Sequence, residues 1–148
     1  WALYGYTMLY RETREARYLT QAEKIAAFIM NHPRLPADKI PYWDFDAPRA
    51  PEPIRDASAG AIMSSAFFEL AGLTANKQAA GAYAALAETQ LRSLASPGYL
   101  AAVGTNGGFL LQHGTGNYPR KNEIDTPLNY ADYYFLEAMH RYKEWILK

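Results

Sequence analysis

The chain has 148 residues, no cysteine, and 15 lysines and arginines that balance 15 aspartates and glutamates. That length predicts one domain with room for a core. The balanced charge argues against a nucleic-acid partner or an electrostatically bound membrane surface, and no apolar run reaches the roughly 20 residues of a membrane span. Without cysteine, disulfide and thiolate chemistry are excluded, while the compartment stays open.

Two helices are predicted in the first part of the chain. Trp1–Tyr10 carries no charge, and so short a run leaves a buried strand as an alternative, but the segment that follows favours helix. Arg14–Asn31 repeats apolar residues at helical spacing on one face and polar residues on the other. His32 and Pro33 end it, because proline disfavours helical geometry in the residue before it.

The most buried helix is predicted over Arg55–Gly72. After Asp56 its one charge is Glu69, and small residues fill much of the remainder. A helix that is apolar on every side belongs in the interior, packed between other helices. Asp56 is placed to cap the first free N–H groups, and Gly72 to end the helix.

Two further helices complete the predicted set. Thr74–Ala95 is amphipathic, and Leu128–Lys148 is aromatic early and basic late, which suits the helix dipole. Thr126 and Pro127 predict the start of the last helix, since a hydroxyl cap followed by proline is a favourable beginning. A short strand is predicted at Phe109–Gln112, inside the long irregular stretch between these helices.

Apolar and amphipathic helices alternate, which predicts five helices in inner and outer layers. Links from an inner to an outer helix are short, at Glu12–Arg14 and Leu73–Thr74. The links back are long loops, at Leu35–Pro53 and at residues 96–126. Short links join antiparallel neighbours, so all inner helices point the same way. Both long loops then lie at the N-terminal ends of the inner helices, and this face is predicted to carry the site.

The side chains of that face suit a polar ligand with apolar faces, such as a sugar. Helix N-termini favour an anionic substituent, so a sugar acid fits best. His113 has no second ligand at metal-binding spacing, and no metal site is predicted. The candidate residues are Trp1, Tyr42, Trp43, Asp44, Asp46, Arg55, Asp56, His113, Tyr118, Arg120, Asn129, Tyr130 and Asp132.

Structural interpretations of the same residues stay open. Arg55 and Asp56 fit a helix cap and a salt bridge better than a catalytic role, and His113 is suited to a hydrogen bond within its loop. The PYWDFD sequence at residues 41–46 is suited to fixing its loop while its aspartates cap turns. Most of the aromatic run at 130–135 is expected in the core, with Tyr130 nearest to the loops.

Five stretches, in order along the chain, resemble unsaturated glucuronyl hydrolases, glycoside hydrolase family 88. They are Trp1–Tyr10, PYWDFD (41–46), RDASA (55–59), HGTGN (113–117) and NYADYYF (129–135). The resemblance implies an all-α fold, an (α/α)6 barrel of six helical hairpins. Residues 1–148 would be the C-terminal portion of that single catalytic domain, with the N-terminal half absent. Trp1 resembles the last residue of the family's Arg-Gly-Gln-x-Trp motif, so the chain is expected to be a piece of a longer protein.

The resemblance also implies a chemistry. Family members act on oligosaccharides left by polysaccharide lyases, whose terminal uronate carries a C4=C5 double bond. An aspartate protonates C4 and then activates the water that adds at C5, after which the hemiketal opens and the linkage breaks. One carboxylate in both roles requires a pKa near the working pH. The family's catalytic aspartates lie in the absent half, so no catalytic residue is assigned here and the fragment alone is expected to be inactive.

Four substrate-binding candidates follow. Trp1 carries over as an aromatic wall of the sugar pocket, Tyr130 by its place at the start of the last inner helix, and His113 and Arg55 more speculatively. The expected ligand is an unsaturated uronate-containing oligosaccharide, and no cofactor is implied. Half a barrel would expose apolar inner faces, so the missing half or a second copy is expected to cover them. By resemblance the compartment is bacterial cytoplasm or periplasm.

Two other functions are compatible with the sequence. Unsaturated rhamnogalacturonyl hydrolases share the fold, although PYWDFD followed by RDASA fits the glucuronyl group better. A helical carbohydrate-binding or scaffold fragment without catalysis would present the same aromatic face and leave its oligosaccharide intact.

Overall fold

The computed structural model describes residues 1–48 and 53–147. Part of the predicted Leu35–Pro53 loop and the predicted helix end at Lys148 lie outside the described residues. Within these described residues five α-helices form the fold, in agreement with the predicted number, together with two single 3₁₀ turns at Asn106–Gly108 and Tyr118–Arg120. The helices are α1 (Ala2–Thr13), α2 (Ala16–Met30), α3 (Ala57–Leu73), α4 (Lys77–Leu94) and α5 (Asn129–Trp145).

The central element is α3, which packs against α1, α4 and α5. Nearly every side chain from Ala57 to Leu70 is buried, as its all-round apolar sequence predicts. The buried hydroxyl of Ser64 donates to the carbonyl of Ala87 on α4 at 2.9 Å, so it carries no unmet hydrogen bond. A Cβ at Gly60 would lie 2.9 Å from Cδ1 of Ile40, and glycine therefore lets the first long loop approach α3 closely.

The three inner helices α1, α3 and α5 run parallel. At their N-terminal ends the rings of Trp1 and Tyr130 lie 6.0 Å apart. At their C-terminal ends the buried carboxylate of Glu69 meets Arg11 at 2.6 Å and Arg141 at 3.0 Å. The predicted direction is confirmed, and we call the face formed by the three N-terminal ends and the two long loops the mouth.

The strand predicted at Phe109–Gln112 is wrong. Within the described residues the chain pairs only through isolated bridges, one of which joins Leu100 to Leu111. The N–H groups of Leu110 and Leu111 donate to the carboxylate of Asp132 at 2.8 and 2.9 Å. These donors are therefore taken by a side chain rather than by a neighbouring strand.

Two predicted helix boundaries are also wrong. Thr126 does not cap α5, because its backbone pairs in both directions with Gly114 and the helix begins three residues later. Gly72 does not end α3, which continues through Leu73 and closes with the N–H of Thr74 donating to Leu70. None of the helices in the described part of the chain has both the length and the apolarity to cross a bilayer.

Candidate functional site

Aromatic rings line one side of the mouth. The ring of Trp1 lies 6.0 Å from that of Tyr130 and 5.3 Å, edge-on, from that of Tyr134. Tyr134 in turn meets Tyr4 at 5.0 Å, so the cluster runs from the mouth down into the space between α1 and α5. Trp1 is 65% exposed in spite of these contacts. It therefore offers a supported ring with free surface, which suits the apolar face of a sugar.

The hydroxyl of Tyr130 has a raised pKa. Burial is the largest cause; a hydrogen-bonding contact with Ser58 lowers the pKa, and the negative charges of Asp56 and Glu123 raise it. The hydroxyl is therefore protonated at neutral pH and available as a hydrogen-bonding group. Gly116 approaches it closely, since a Cβ at that position would lie 3.2 Å from the Tyr130 oxygen.

A second group of residues, from both long loops, lines a cavity of about 470 Å³. His113 contributes its ring, and its Nδ1 lies 2.6 Å from Oδ1 of Asp125. Both residues have positive φ, 62° and 50°, so the loop backbone holds the pair in place. The walls are Pro53, Ile54, Arg55, Gly98, Tyr99, His113 and Asp125.

Arg55 is oriented by the first long loop and not by its neighbour Asp56. Its Nη1 lies 2.9 Å from Oδ1 of Asp38, and its guanidinium carbon lies 4.9 Å from the centre of the Tyr42 ring. The interpretation of Arg55 and Asp56 as a salt bridge to each other is therefore wrong. Asp38 also accepts a hydrogen bond from the hydroxyl of Tyr99 at 2.9 Å. Burial and this bond raise the pKa of Tyr99 to about 12.

Asp56 lies between the two groups. It caps α3 as predicted, with Oδ1 accepting from the N–H of Ser58 at 3.0 Å and from its hydroxyl at 2.6 Å. The same oxygen accepts from the N–H of Thr115 at 3.2 Å. Burial raises the pKa of Asp56, and the hydrogen bonds from Ser58 and Thr115 oppose that rise. The carboxylate thus joins α3 to the second long loop.

The two long loops are joined by an aromatic stack. The rings of Trp43 and Tyr118 lie 4.2 Å apart and 16° from parallel. Asp44 accepts from the N–H of Asp46 at 2.8 Å, which is the turn-capping role that the structural interpretation of PYWDFD predicts. The segment therefore fixes the loops across the mouth.

Three residues of this region were not singled out by sequence reasoning: Asp38, Tyr99 and Thr115. Their partners lie far along the chain, at separations of 17 to 61 residues. Asp132 was assigned to the mouth, and its carboxylate instead holds the second loop. Within residues 1–48 and 53–147, no cluster of histidines and carboxylates could hold a metal ion.

Comparison with known proteins identifies relatives of this chain. No protein-family model matches the chain. It is 50% identical to an unsaturated glucuronyl hydrolase of Formosa agariphila over 148 residues, which are all of this chain and 36% of the relative. It is 31% identical to an unsaturated chondroitin disaccharide hydrolase of Streptococcus pyogenes, over 98% of this chain and 36% of that protein.

Solved structures give the same result. An unsaturated glucuronyl hydrolase specific for heparin superposes with a TM-score of 0.93 at 50% identity, covering 97% of this chain and 38% of that structure. The unsaturated glucuronyl hydrolase of Bacillus sp. GL1 superposes with a TM-score of 0.87 at 27% identity, over the same fractions. The chain thus spans little more than a third of the length of these relatives. In sequence and fold the chain is similar over its whole length to the C-terminal portion of these unsaturated glucuronyl hydrolases.

Proposed function

We propose that the protein carrying this chain releases the unsaturated uronate from oligosaccharides produced by polysaccharide lyases. Residues 1–148 are the C-terminal portion of its single (α/α)6-barrel catalytic domain, and the N-terminal half lies outside the chain. The observation that carries the proposal is the pairing of Trp1 with Tyr130 at the mouth, in a chain that aligns end to end with these hydrolases.

The chain's own residues bind and orient the substrate. Trp1 packs on a sugar face, and the protonated Tyr130 hydroxyl hydrogen-bonds beside it. Three parallel helix N-termini favour the uronate carboxylate at the mouth. The cavity of Arg55 and His113 receives polar groups of the same oligosaccharide, with Arg55 pre-oriented by Asp38. No residue of this chain is assigned a catalytic role.

The reaction is a hydration. Water adds across C4=C5, with the hydrogen at C4 and the hydroxyl at C5, and the resulting hemiketal opens so that the glycosidic linkage breaks. An aspartate from outside this chain supplies the proton and then activates the water. This route needs no attack at the anomeric carbon, in contrast to the two-carboxylate scheme of most glycosidases.

The direct test mixes the full-length protein with lyase digests of glycosaminoglycans, alginate and rhamnogalacturonan. Hydration destroys the conjugated double bond, so ultraviolet absorbance falls and product analysis detects the shortened saccharide. If the oligosaccharides of the digests bind but remain intact after long incubation, the protein would instead be a binding module. A preference for the rhamnogalacturonan digest would assign the protein to the rhamnogalacturonyl relatives.

The binding residues are tested by Trp1→Ala and Tyr130→Phe in the active protein. Each is expected to lower kcat/KM by roughly tenfold, the loss of about one aromatic contact or hydrogen bond. Tyr18→Phe is the control, because Tyr18 lies on the outer helix α2, where its ring is 6.3 Å from that of Tyr6 and its hydroxyl accepts from Arg17. Equal effects at Tyr130 and Tyr18 would remove Tyr130 from the site.

The rest of the barrel is proposed to cover the exposed faces of α1 and α5. Apolar side chains there are 37 to 60% exposed, namely Met8, Leu9, Tyr133, Leu136 and Met139. Exposed apolar surfaces of this kind mark sites of interaction with another protein surface. Expressed alone, the chain is expected to self-associate, and expressed with the upstream segment it should form a one-to-one complex. A soluble monomer of the isolated chain would contradict this.

A further inference from the structure

Asp56 makes more contacts than a helix cap requires. Capping α3 uses its two hydrogen bonds from Ser58, and serine or asparagine at this position would cap equally well. The third bond, from the N–H of Thr115, reaches a segment 59 residues away. Burial raises the pKa of Asp56, and hydrogen bonds from the N–H and O–H groups of Ser58 and Thr115 oppose that rise.

Two further bonds interlock the same segments. The N–H of Ala57 donates to the carbonyl of His113 at 2.9 Å, and the hydroxyl of Thr115 donates to the carbonyl of Arg55 at 3.1 Å. Thr115 is buried, with 7% of its surface exposed, so losing this bond would leave a buried donor without its partner. The position of residues 113–116 is thus determined by the N-terminus of α3.

Gly116, the residue after Thr115, connects this segment to Tyr130 at the mouth. Gly116 lies against the hydroxyl end of Tyr130 and against the side chain of Glu123, whose carbonyl accepts from the Gly116 N–H at 2.8 Å. A shift of the segment would move the surface on which the Tyr130 hydroxyl rests. Tyr130 in turn is a ring neighbour of Trp1.

We propose that Asp56 is a positioning residue, which holds residues 113–116 through Thr115 and thereby sets the place of the Tyr130 hydroxyl at the mouth. This inference rests on the proposed function for its kinetic consequence, but its structural consequence does not depend on the reaction. Asp56 does not touch the substrate in this proposal and acts through Tyr130.

Serine and asparagine at position 56 separate capping from positioning. Asp56→Ser retains a cap but is too short to reach Thr115, whereas Asp56→Asn retains an oxygen that reaches both. In the full-length enzyme, Asp56→Ser is expected to raise KM about three- to tenfold, as for one weakened hydrogen bond, with kcat within about twofold. Asp56→Asn should restore KM. The control is Asn76→Ser, which alters the cap of α4. The side-chain oxygen of Asn76 accepts hydrogen bonds from Gln78 and Ala79 of its own helix.

A double-mutant cycle with Tyr130→Phe tests the path. If Asp56 acts through the Tyr130 hydroxyl, Asp56→Ser should have little further effect on KM once that hydroxyl is gone. Gly116→Ala provides an independent perturbation from the loop side, and it too should raise KM without lowering the melting temperature. Equal Asp56→Ser effects in both backgrounds, or a parallel loss of kcat and melting temperature with KM unchanged, would overturn the proposal.

A spectroscopic measurement keeps the two proposals separate. The Tyr130 signal in protein labelled with 13C at the tyrosine ζ carbon, assigned by its loss in Tyr130→Phe, is expected to shift in Asp56→Ser and to return in Asp56→Asn. An unshifted signal would overturn the positioning role whether or not the enzyme is active. If the wild-type protein leaves all lyase digests intact, but Asp56→Ser still shifts the Tyr130 signal, the result would contradict the proposed function and not the positioning role.

Discussion

The two ends of the inner layer both bury a carboxylate, and they neutralise it in different ways. At the C-terminal ends Glu69 is 3% exposed and contacts Arg11 and Arg141. At the mouth Asp56 is 9% exposed, and its hydrogen bonds from Ser58 and Thr115 come from neutral donors. The arginines at Glu69 tie helices together through charge. At Asp56 burial raises the pKa and the hydrogen bonds oppose that rise, so its environment depends on how closely the second long loop is packed.

The charged end is a network and not a single pair. Arg141 also donates to the carbonyl of Ser65 at 2.8 Å and approaches Glu137 at 3.5 Å. Tyr4 donates to Glu137 at 3.1 Å, which adds a second contact from α1 to this network. The three parallel helices are thus joined at one end by charged groups, while their other ends contact the loops that form the mouth.

The largest effect is expected at the charged end. Arg141→Met leaves Glu69 with one partly exposed partner and removes the donor to Ser65, so the free energy of unfolding should fall by about 3–5 kcal/mol. Chemical denaturation of the full-length protein measures it. The control is Arg92→Met, which breaks an exposed pair with Glu88 and should cost much less. Similar losses in both variants would mean that the network contributes no more than a surface pair.

Two neighbouring glycines sharpen the contrast at the mouth. A Cβ at Gly114 would lie 2.8 Å from the backbone oxygen of Thr126 and 2.8 Å from Leu128, neither of which can move away easily. Gly114→Ala should therefore lower the free energy of unfolding by roughly 1–3 kcal/mol. At Gly116 the added carbon meets flexible side chains instead, so Gly116→Ala should leave the melting temperature nearly unchanged. Equal thermal shifts would show that the second loop is uniformly rigid.

A smaller effect is expected where the aromatic cluster meets the charged network. Tyr4→Phe keeps the ring against Tyr134 and removes the bond to Glu137, which should cost about 1 kcal/mol at neutral pH. Burial, with the charge of Glu137, raises the pKa of Tyr4 from 10.0 to about 12. The folded protein therefore retains a proton that the unfolded chain loses, and wild-type stability should fall between these pH values. The phenylalanine variant should lack this component of the decline.

The smallest expected effect is the contribution of Asp56 to the pH dependence of stability. Its folded-state pKa is raised, so the native protein binds this proton more tightly than the unfolded chain does. Stability from this group is present below the ordinary aspartate pKa and is lost as pH rises through the folded value. The melting temperature of Asp56→Asn relative to wild type should therefore increase as pH rises through that window and then level off. A flat difference from acid to neutral pH would contradict the raised pKa.

Local sequence predicted the helices and the layering well, because both depend on residues close together in the chain. The nearly charge-free α3 and the cap at Asp56 are examples, and the parallel inner helices followed from loop lengths. The prediction of a strand at Phe109–Gln112 was wrong because Asp132, some 20 residues away, accepts hydrogen bonds from the N–H groups of Leu110 and Leu111. The partner of Arg55 was missed for the same reason, since Asp38 belongs to the other loop. Local patterns carry no information about such distant partners.

The contact between Trp1 and Tyr130 joins the first and last helices of the chain, and this has a consequence for the order in which the protein is assembled. The α1–α2 and α3–α4 hairpins rely on nearby residues and can form early during synthesis, whereas the mouth requires loop closure over nearly the whole segment. We therefore expect the mouth to form after both hairpins, once α5 has left the ribosome. Nascent chains would contain the two hairpins before Trp1 and Tyr130 come into contact.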